Sequence, residues 1–100
     1  MIIHIGGNIA LLEKDIVAIL DVDSALESED SQFFINTLIK SNRLINNLEK
    51  DIKSYIITVN NNIDSRDKTQ RYNLYTSNIS STSLLNRINK NKLDWGEIYV

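Results

Sequence analysis

Short runs of apolar and β-branched residues, separated by turn-forming residues, fill the first quarter of the chain. Residues 1–5 form one such run and end at 6–8, a Gly-Gly-Asn sequence that accepts positive φ angles at little steric cost. The apolar pattern resumes over 9–12, so the sequence predicts a β-hairpin. Residues 16–22 are almost continuously apolar and of strand length, which predicts a strand covered on both faces, with a helix as the alternative.

The next two segments predict a loop followed by a helix. Residues 23–30 are acidic and rich in serine, which is typical of a solvated loop. Ser28 or Asp30 is expected to cap the helix that follows, because a side-chain oxygen at that point accepts hydrogen bonds from free amide groups. Over 31–42 the apolar residues recur at i and i+4, and Lys40 lies near the C-terminal end, where cations are favoured.

The second half of the chain predicts another hairpin and a second helix. Residues 54–59 and 72–77 have strand patterns, and the second of them alternates aromatic and polar residues. Residues 60–70 are polar and include three consecutive asparagines, which predicts an exposed loop between the two strands. Ser80 or Ser81 is expected to cap the helix. The apolar stripe of this helix would consist of Leu84, Leu85 and Ile88.

Chain length and composition limit the architecture. One hundred residues leave room for one domain, and 42% of them are apolar, so a core can form. A domain of this size hides only about 60 to 65% of its unfolded surface, so oligomerisation would add stability. We therefore predict an α+β fold with a small antiparallel sheet of about five to six strands and two helices. The domain would span 1–92, with a short C-terminal tail over 93–100.

The residue types present exclude several kinds of chemistry. The chain has no cysteine, and its one histidine cannot build a zinc site alone. That residue, His4, lies in an apolar strand without a nucleophile pattern around it, which favours a structural role over general-base catalysis. We expect no enzymatic activity, no cofactor, no metal and no small-molecule substrate. The N-terminus lacks a signal-peptide pattern and no segment is apolar enough to span a membrane, so we expect a cytoplasmic protein without a membrane partner.

Charge is divided unevenly along the chain. Residues 13–30 contain seven acids and one lysine, whereas 40–92 contain ten bases and four acids. This division favours head-to-tail self-association or a local basic face on nucleic acid. The formal net charge of −2 argues against strong non-specific DNA binding by a single chain. Because the bases fall into small groups, closure of identical subunits into a ring would be needed to multiply their contacts.

Four segments together are similar to a known family. They are MIIHIGGN at the start, the strand IVAILD, the segment KSYIIT and the stretch NLYTSNISSTSLLNRI. In order and spacing they resemble the bacterial extracellular-matrix regulators called Rem, and most closely the B-type members. The resemblance implies a compact α+β subunit that assembles into rings and regulates transcription of biofilm-matrix genes. For A-type members it also implies binding of DNA upstream of those genes.

The resemblance also suggests where phosphate contacts would lie. In A-type members an arginine precedes the strand corresponding to 16–20, and an arginine pair precedes the one corresponding to 54–59. Here the first position is Asp15, and the pair falls near Lys50 and Asp51. A carboxylate repels phosphate, and lysine lacks the bidentate grip of arginine. The candidate DNA-binding residues are Lys14, Lys50, Lys53 and Arg87, the last of which matches the family pattern in LLNRI.

Two functions follow from these observations. The first is a non-enzymatic, homo-oligomeric regulator of the Rem type that binds DNA. The alternative is an oligomeric protein-interaction module that has lost DNA binding. In that alternative the acidic segment of one subunit, 13–30, meets basic residues of the next.

Overall fold

The computed structural model describes residues 1–46, 50–60 and 68–89. Within them the chain forms two antiparallel sheets and three α-helices, so the fold class is α+β, as predicted. The two-stranded sheet contains β1 (Ile2–Gly6) and β2 (Ile9–Leu12), and the three-stranded sheet has the order β3 (Ile16–Asp21), β4 (Ser54–Val59) and β5 (Tyr72–Ser77). The helices are α1 (Val22–Glu27), α2 (Glu29–Lys40) and α3 (81–89).

The described residues form five strands, within the predicted number, but the predictions of a single sheet and of two helices are wrong, because the strands form two sheets and the chain forms three α-helices. A 3₁₀ turn at Glu13–Asp15 separates β2 from β3. The hairpin then packs on a face of the three-stranded sheet, where Ile3 and Ile5 join a buried cluster with Ile56 of β4. The hairpin buries its apolar side chains by forming a second layer on the sheet, and it does not extend the sheet by pairing with an edge strand.

The first hairpin is confirmed and depends on its turn residues. Gly6, Gly7 and Asn8 all have positive φ, at 91°, 60° and 61°. This backbone region is accessible to glycine and, at lower cost than for most residues, to asparagine. The register of β1 and β2 shifts between His4 and Gly6, where the chain enters the turn.

The prediction of a strand in 16–22 is confirmed over Ile16–Asp21, and side chains on both faces of β3 pack against core clusters, but none of them is fully buried and Val22 begins α1. Ile16 and Ile19 pack against the cluster under the hairpin, whereas Leu20 packs against the cluster under α2. Val17 lies where the register with β4 shifts, and its side chain is 54% exposed. The strand ends at Asp21.

The acidic segment 23–30 is not the predicted loop, because α1 and the start of α2 occupy it. Asp21 caps α1: its carboxylate accepts a hydrogen bond from the Ser24 amide at 3.0 Å. Acidic residues in the first turn suit the positive end of the helix dipole. Ala25 is buried against the sheet side of α2, so this short helix gains its stability from packing.

The predicted helix over 31–42 is confirmed as α2, which begins two residues earlier and ends at Lys40. Ser28 is its N-cap and accepts a hydrogen bond from the Ser31 amide at 3.3 Å, while Asp30 lies in the first turn. Ile35 and Leu38 are the buried residues of the helix and pack on β4 and β5.

The third helix confirms Ser80 as its cap, since the Ser80 hydroxyl accepts a hydrogen bond from the Ser83 amide at 3.2 Å. Leu84 and Ile88 are buried, but Leu85 is 45% exposed, so the apolar stripe is narrower than predicted. The predicted tail at 93–100 lies outside the described residues.

The β4 and β5 hairpin has the predicted bounds, with Ser54 paired to Ser77 and Val59 to Tyr72. Of the predicted loop, residues 61–67 lie outside the described part, and Lys68–Arg71 forms a 3₁₀ turn. The central strand β4 joins both cores, because its successive side chains point to opposite faces. Ile56 faces the hairpin and α3, and Ile57 faces α1 and α2.

Residues 43–46, which follow α2, lie along the outer edge of β5. Leu44 forms a parallel bridge with Leu74, and the Ile45 amide donates to the Leu74 carbonyl at 2.9 Å. The Asn46 side chain continues this pattern by bonding both the amide and the carbonyl of Thr76. This segment, 43–46, therefore forms the outermost layer on the β5 side of the sheet.

Candidate nucleic-acid interface

Two of the predicted phosphate contacts, Lys50 and Lys53, lie together immediately before β4. Both side chains are exposed. The main chain of Lys53 is held on two sides, because its amide donates to the Ser77 carbonyl at 2.8 Å and its carbonyl accepts from the Val22 amide at 3.1 Å. These bonds hold the main chain of Lys53 at the end of the sheet where α1 begins, and Lys50 lies three residues before it.

An acid separates the two lysines. Asp51 is exposed and has a φ of 59°, a conformation that places it in a tight bend of the chain. Its carboxylate lies within the same short segment, so Lys50 and Lys53 together contribute a single net positive charge there. A lone pair of this kind gives weak phosphate affinity.

Lys14 lies away from this pair. It occupies the 3₁₀ turn before β3, at the end of the sheet where Ile16 pairs with Thr58. Lys53 precedes the opposite end, where Ser54 pairs with Asp21. A strand of six residues spans roughly 20 Å, so the sheet separates Lys14 from the other two lysines.

Arg87 has a structural contact. Its guanidinium donates a hydrogen bond to the His4 carbonyl at 2.7 Å, which ties α3 to the first hairpin. The side chain remains exposed, and arginine has five donors, so this bond does not use up its capacity. His4 is exposed and contributes its backbone to this link.

A further arginine, Arg43, is also engaged in holding the fold. Its Nε donates to the Tyr72 carbonyl at 3.1 Å, and its Nη2 donates to the Asn73 side chain. These bonds tie the segment after α2 to β5. Of the bases at the end of α2, Lys40 is exposed. Of the four predicted residues, Lys50 and Lys53 lie in one segment before β4, Lys14 lies at the opposite end of the sheet, and Arg87 contacts the first hairpin.

Sequence reasoning missed a polar cavity of about 240 Å³ between the hairpin and the sheet. Thr58, Asn73 and Tyr75 lie on the face of β4 and β5 that the hairpin covers. At these positions the sheet presents polar side chains to the hairpin, so the apolar core ends there. The signal was present in the sequence: Asn73 and Tyr75 are two residues apart in a strand and so share a face. The lining residues are Leu11, Leu12, Asp15, Thr58, Val59, Asn60, Asn73 and Tyr75.

The Tyr75 hydroxyl is affected by this environment. Burial raises the pKa of Tyr75 above its usual value, and the negative charge of Asp15 raises it further. Both effects act in the same direction, because each disfavours the phenolate. Tyr75 therefore loses its proton at a higher pH than an exposed tyrosine does.

Alkaline conditions should test the Tyr75 environment. A pKa raised in the folded state stabilises the fold at pH values below the unfolded pKa of about 10, and this contribution is lost as pH rises through the folded pKa. Urea titrations between about pH 9 and about pH 11.5 should show a steeper loss of stability for the wild type than for Tyr75→Phe. Parallel losses in the two proteins would contradict the assigned environment.

Neither a metal site nor a membrane span stands out in the described part of the chain. Across 1–46, 50–60 and 68–89, no three histidine, cysteine, aspartate or glutamate side chains cluster in a way that could hold a metal ion. The helices of the same ranges are too short or too polar to cross a bilayer. No protein-family model matches the sequence, and comparison with curated proteins gives no significant match.

Proposed function

We propose that this protein is a non-enzymatic regulator of the Rem type, which self-associates in the cytoplasm and binds DNA through repeated copies of the Lys50 and Lys53 pair. The observation that carries the proposal is the position of this pair. Both side chains are exposed, and backbone bonds with Ser77 and Val22 hold the main chain of Lys53 on the sheet. A rigid support of this kind lets two weak contacts recur at a constant spacing in an assembly.

Self-association is needed because one subunit offers too little positive charge. Asp51 neutralises part of the positive charge of Lys50 and Lys53, and the chain as a whole has a formal net charge of −2. Lysine contacts to phosphate release counterions and add affinity in proportion to their number. In a ring, each copy contributes the same two contacts, and the second and later contacts form at high effective concentration.

A DNA titration with matched variants tests this proposal. Fluorescence anisotropy of a labelled duplex should show binding by the wild type at about 50 mM salt and much weaker binding at about 200 mM. The double variant Lys50→Gln/Lys53→Gln should lose about tenfold or more in affinity and show a shallower dependence on salt. Lys14→Gln serves as the control for the single variants Lys50→Gln and Lys53→Gln, each of which should bind more weakly than the wild type. It removes one positive charge, as each of them does, but at the opposite end of the sheet, and its affinity should stay close to that of the wild type.

Two results would contradict DNA binding by this surface. The first is equal loss of affinity in the control and in the double variant, which would indicate a general charge effect. The second is the absence of binding by the wild type at low salt. If the wild type nevertheless assembles, that second result selects the alternative function, an oligomeric protein-interaction module.

The alternative is favoured by one specific observation, the separation of charges across the molecule. Acidic residues lie on α1, which follows β3, while Lys40 and Arg43 lie on the β5 side. Such an arrangement suits contacts between copies, in which the acids of α1 on one copy meet Lys40 of the next.

A further inference from the structure

We propose that the C-terminal tail, residues 93–100, binds within its own subunit to the groove between β3 and α3. The groove includes Asn89, the last described residue, and combines a terminal strand with exposed apolar side chains. This inference goes beyond the proposed function, because it requires neither DNA nor a second copy. A tail in this position would keep the outer side of β3 from pairing with other chains.

The groove has the properties of an unfilled binding surface. It has a volume of about 260 Å³ and lies between the first four residues of β3 and the second half of α3. Val17 and Leu85 line it, and their side chains are 54% and 45% exposed. Among the described residues, no strand pairs with the outer side of β3. Exposed apolar side chains beside an unpaired strand edge favour the binding of a further segment.

The position of Asn89 brings the tail to this groove. Asn89 follows Ile88 at the end of the described chain, and both residues line the groove. Residues 90–92 can bridge up to roughly 10 Å, and the eight residues of the tail can cover roughly 26 Å, which exceeds the length of β3. A segment tethered by so short a linker has an effective concentration of about a millimolar or more, which favours it over a separate partner.

The tail has a composition suited to an apolar groove. Five of its eight residues are apolar or aromatic, namely Leu93, Trp95, Ile98, Tyr99 and Val100. Tryptophan and tyrosine bury large areas when they pack, and removing that area from water stabilises the contact. Isoleucine, tyrosine and valine also favour the extended conformation that a strand edge accepts.

Charge around β3 is mixed and does not exclude the tail. Acids and bases occur at both ends of the strand. They are Glu13, Lys14, Asp15 and Arg87 at the Ile16 end, and Asp21, Asp23, Glu27 and Lys53 at the Asp21 end. The two acids of the tail, Asp94 and Glu97, therefore meet both signs of charge wherever they lie along β3. The choice of occupant rests on the tether and on the apolar side chains.

Trp95 is the only tryptophan of the chain, so its fluorescence reports directly on the tail. In the full wild-type chain its emission should lie at a shorter wavelength than in the urea-unfolded protein, and acrylamide should quench it more weakly. Val17→Glu and Leu85→Glu each place a carboxylate in the groove, which loses hydration if the tail covers it. Each variant should shift the emission to the unfolded wavelength and restore strong quenching.

A matched control and a reciprocal measurement accompany these variants. Val17 and Leu85 are about half exposed, so both variants should fold, which far-UV circular dichroism will verify. Leu26→Glu is the control, because Leu26 is 56% exposed and lines the groove between α1 and α2 on the opposite face of the sheet. Its Trp95 emission should equal that of the wild type. Conversely, Trp95→Ser should speed hydrogen exchange in peptides from 13–21 and leave 54–59 unchanged.

Dilution separates binding within one chain from binding to a second copy. The wild-type emission should stay the same over an about hundredfold dilution, because a contact within one chain does not depend on concentration. A shift to longer wavelength on dilution would place the tail on another copy and overturn the proposal. It would also fail if wild-type Trp95 emits as in the unfolded chain, if the folded groove variants keep the wild-type emission, if Leu26→Glu shifts it equally, or if Trp95→Ser leaves exchange in 13–21 unchanged.

Discussion

Replacing Leu38 with alanine is expected to reduce the free energy of unfolding by about 2 to 5 kcal/mol, because the change removes a fully buried side chain and leaves a cavity. Leu38 has no exposed surface and packs with Ile35, Ile57 and Leu74 in the cluster between α2 and the sheet. This contact holds the helical layer on the sheet. The value can be measured by urea denaturation followed by circular dichroism.

The neighbouring residue provides the control for Leu38. Ile39 is in the same helix and of equal size, but 41% of its surface is exposed. Ile39→Ala should cost less than about 1.5 kcal/mol, since alanine is the better helix former and less apolar area is lost. Equal losses of stability at the two positions would contradict the assignment of Leu38 to the buried face of α2 and of Ile39 to its exposed face.

Ser77→Ala should have the second largest effect, a loss of about 2 to 4 kcal/mol, because it removes a completely buried hydroxyl that bonds two backbone groups. The Ser77 hydroxyl donates to the Ile5 carbonyl at 2.6 Å and accepts from the Ile79 amide at 3.0 Å. It thereby joins the first hairpin, the sheet and the entry to α3. The effect is large for a serine because the side chain is completely buried.

Ser24→Ala is the matched change for Ser77. Ser24 is exposed on α1, and its amide, not its hydroxyl, takes part in the cap with Asp21. The free energy of unfolding should change by less than about 0.5 kcal/mol. If Ser77→Ala were equally mild, the hairpin would not depend on the Ser77 bond for its position.

Strands were predicted most accurately where the sequence pattern and the burial agree. Residues 54–59 and 72–77 have the observed bounds of β4 and β5, because β-branched and aromatic residues concentrate there and polar segments flank them. Turn residues fixed the first hairpin equally well. In these regions local preference and tertiary packing favour the same structure.

The sequence predictions were wrong where contacts between distant parts of the chain determine the structure. The segment 23–30 has the composition of a loop, yet a cap from Asp21 and burial of Ala25 stabilise α1 there. The hairpin has the pattern of sheet strands, but it packs on a face of the sheet, which hydrophobic alternation cannot distinguish from an edge. Such choices depend on residues far apart in the sequence.

In the candidate site, too, local sequence predicted some of the positions and tertiary structure determined the others. Lys50 and Lys53 are close in sequence and are therefore close in space, as expected. The antiparallel topology places Lys14 at the other end of the sheet, and Arg87 reaches the backbone of His4 across 83 positions of sequence. Neither placement follows from spacing along the chain.

Sedimentation velocity of the wild type with a fluorescent duplex at low salt tests most directly whether assembly produces DNA binding. We predict that the duplex sediments with a species containing several 11.5 kDa chains and that no complex with one chain is populated. A duplex that sediments alone beside assembled protein, or one that binds single chains, would contradict this prediction.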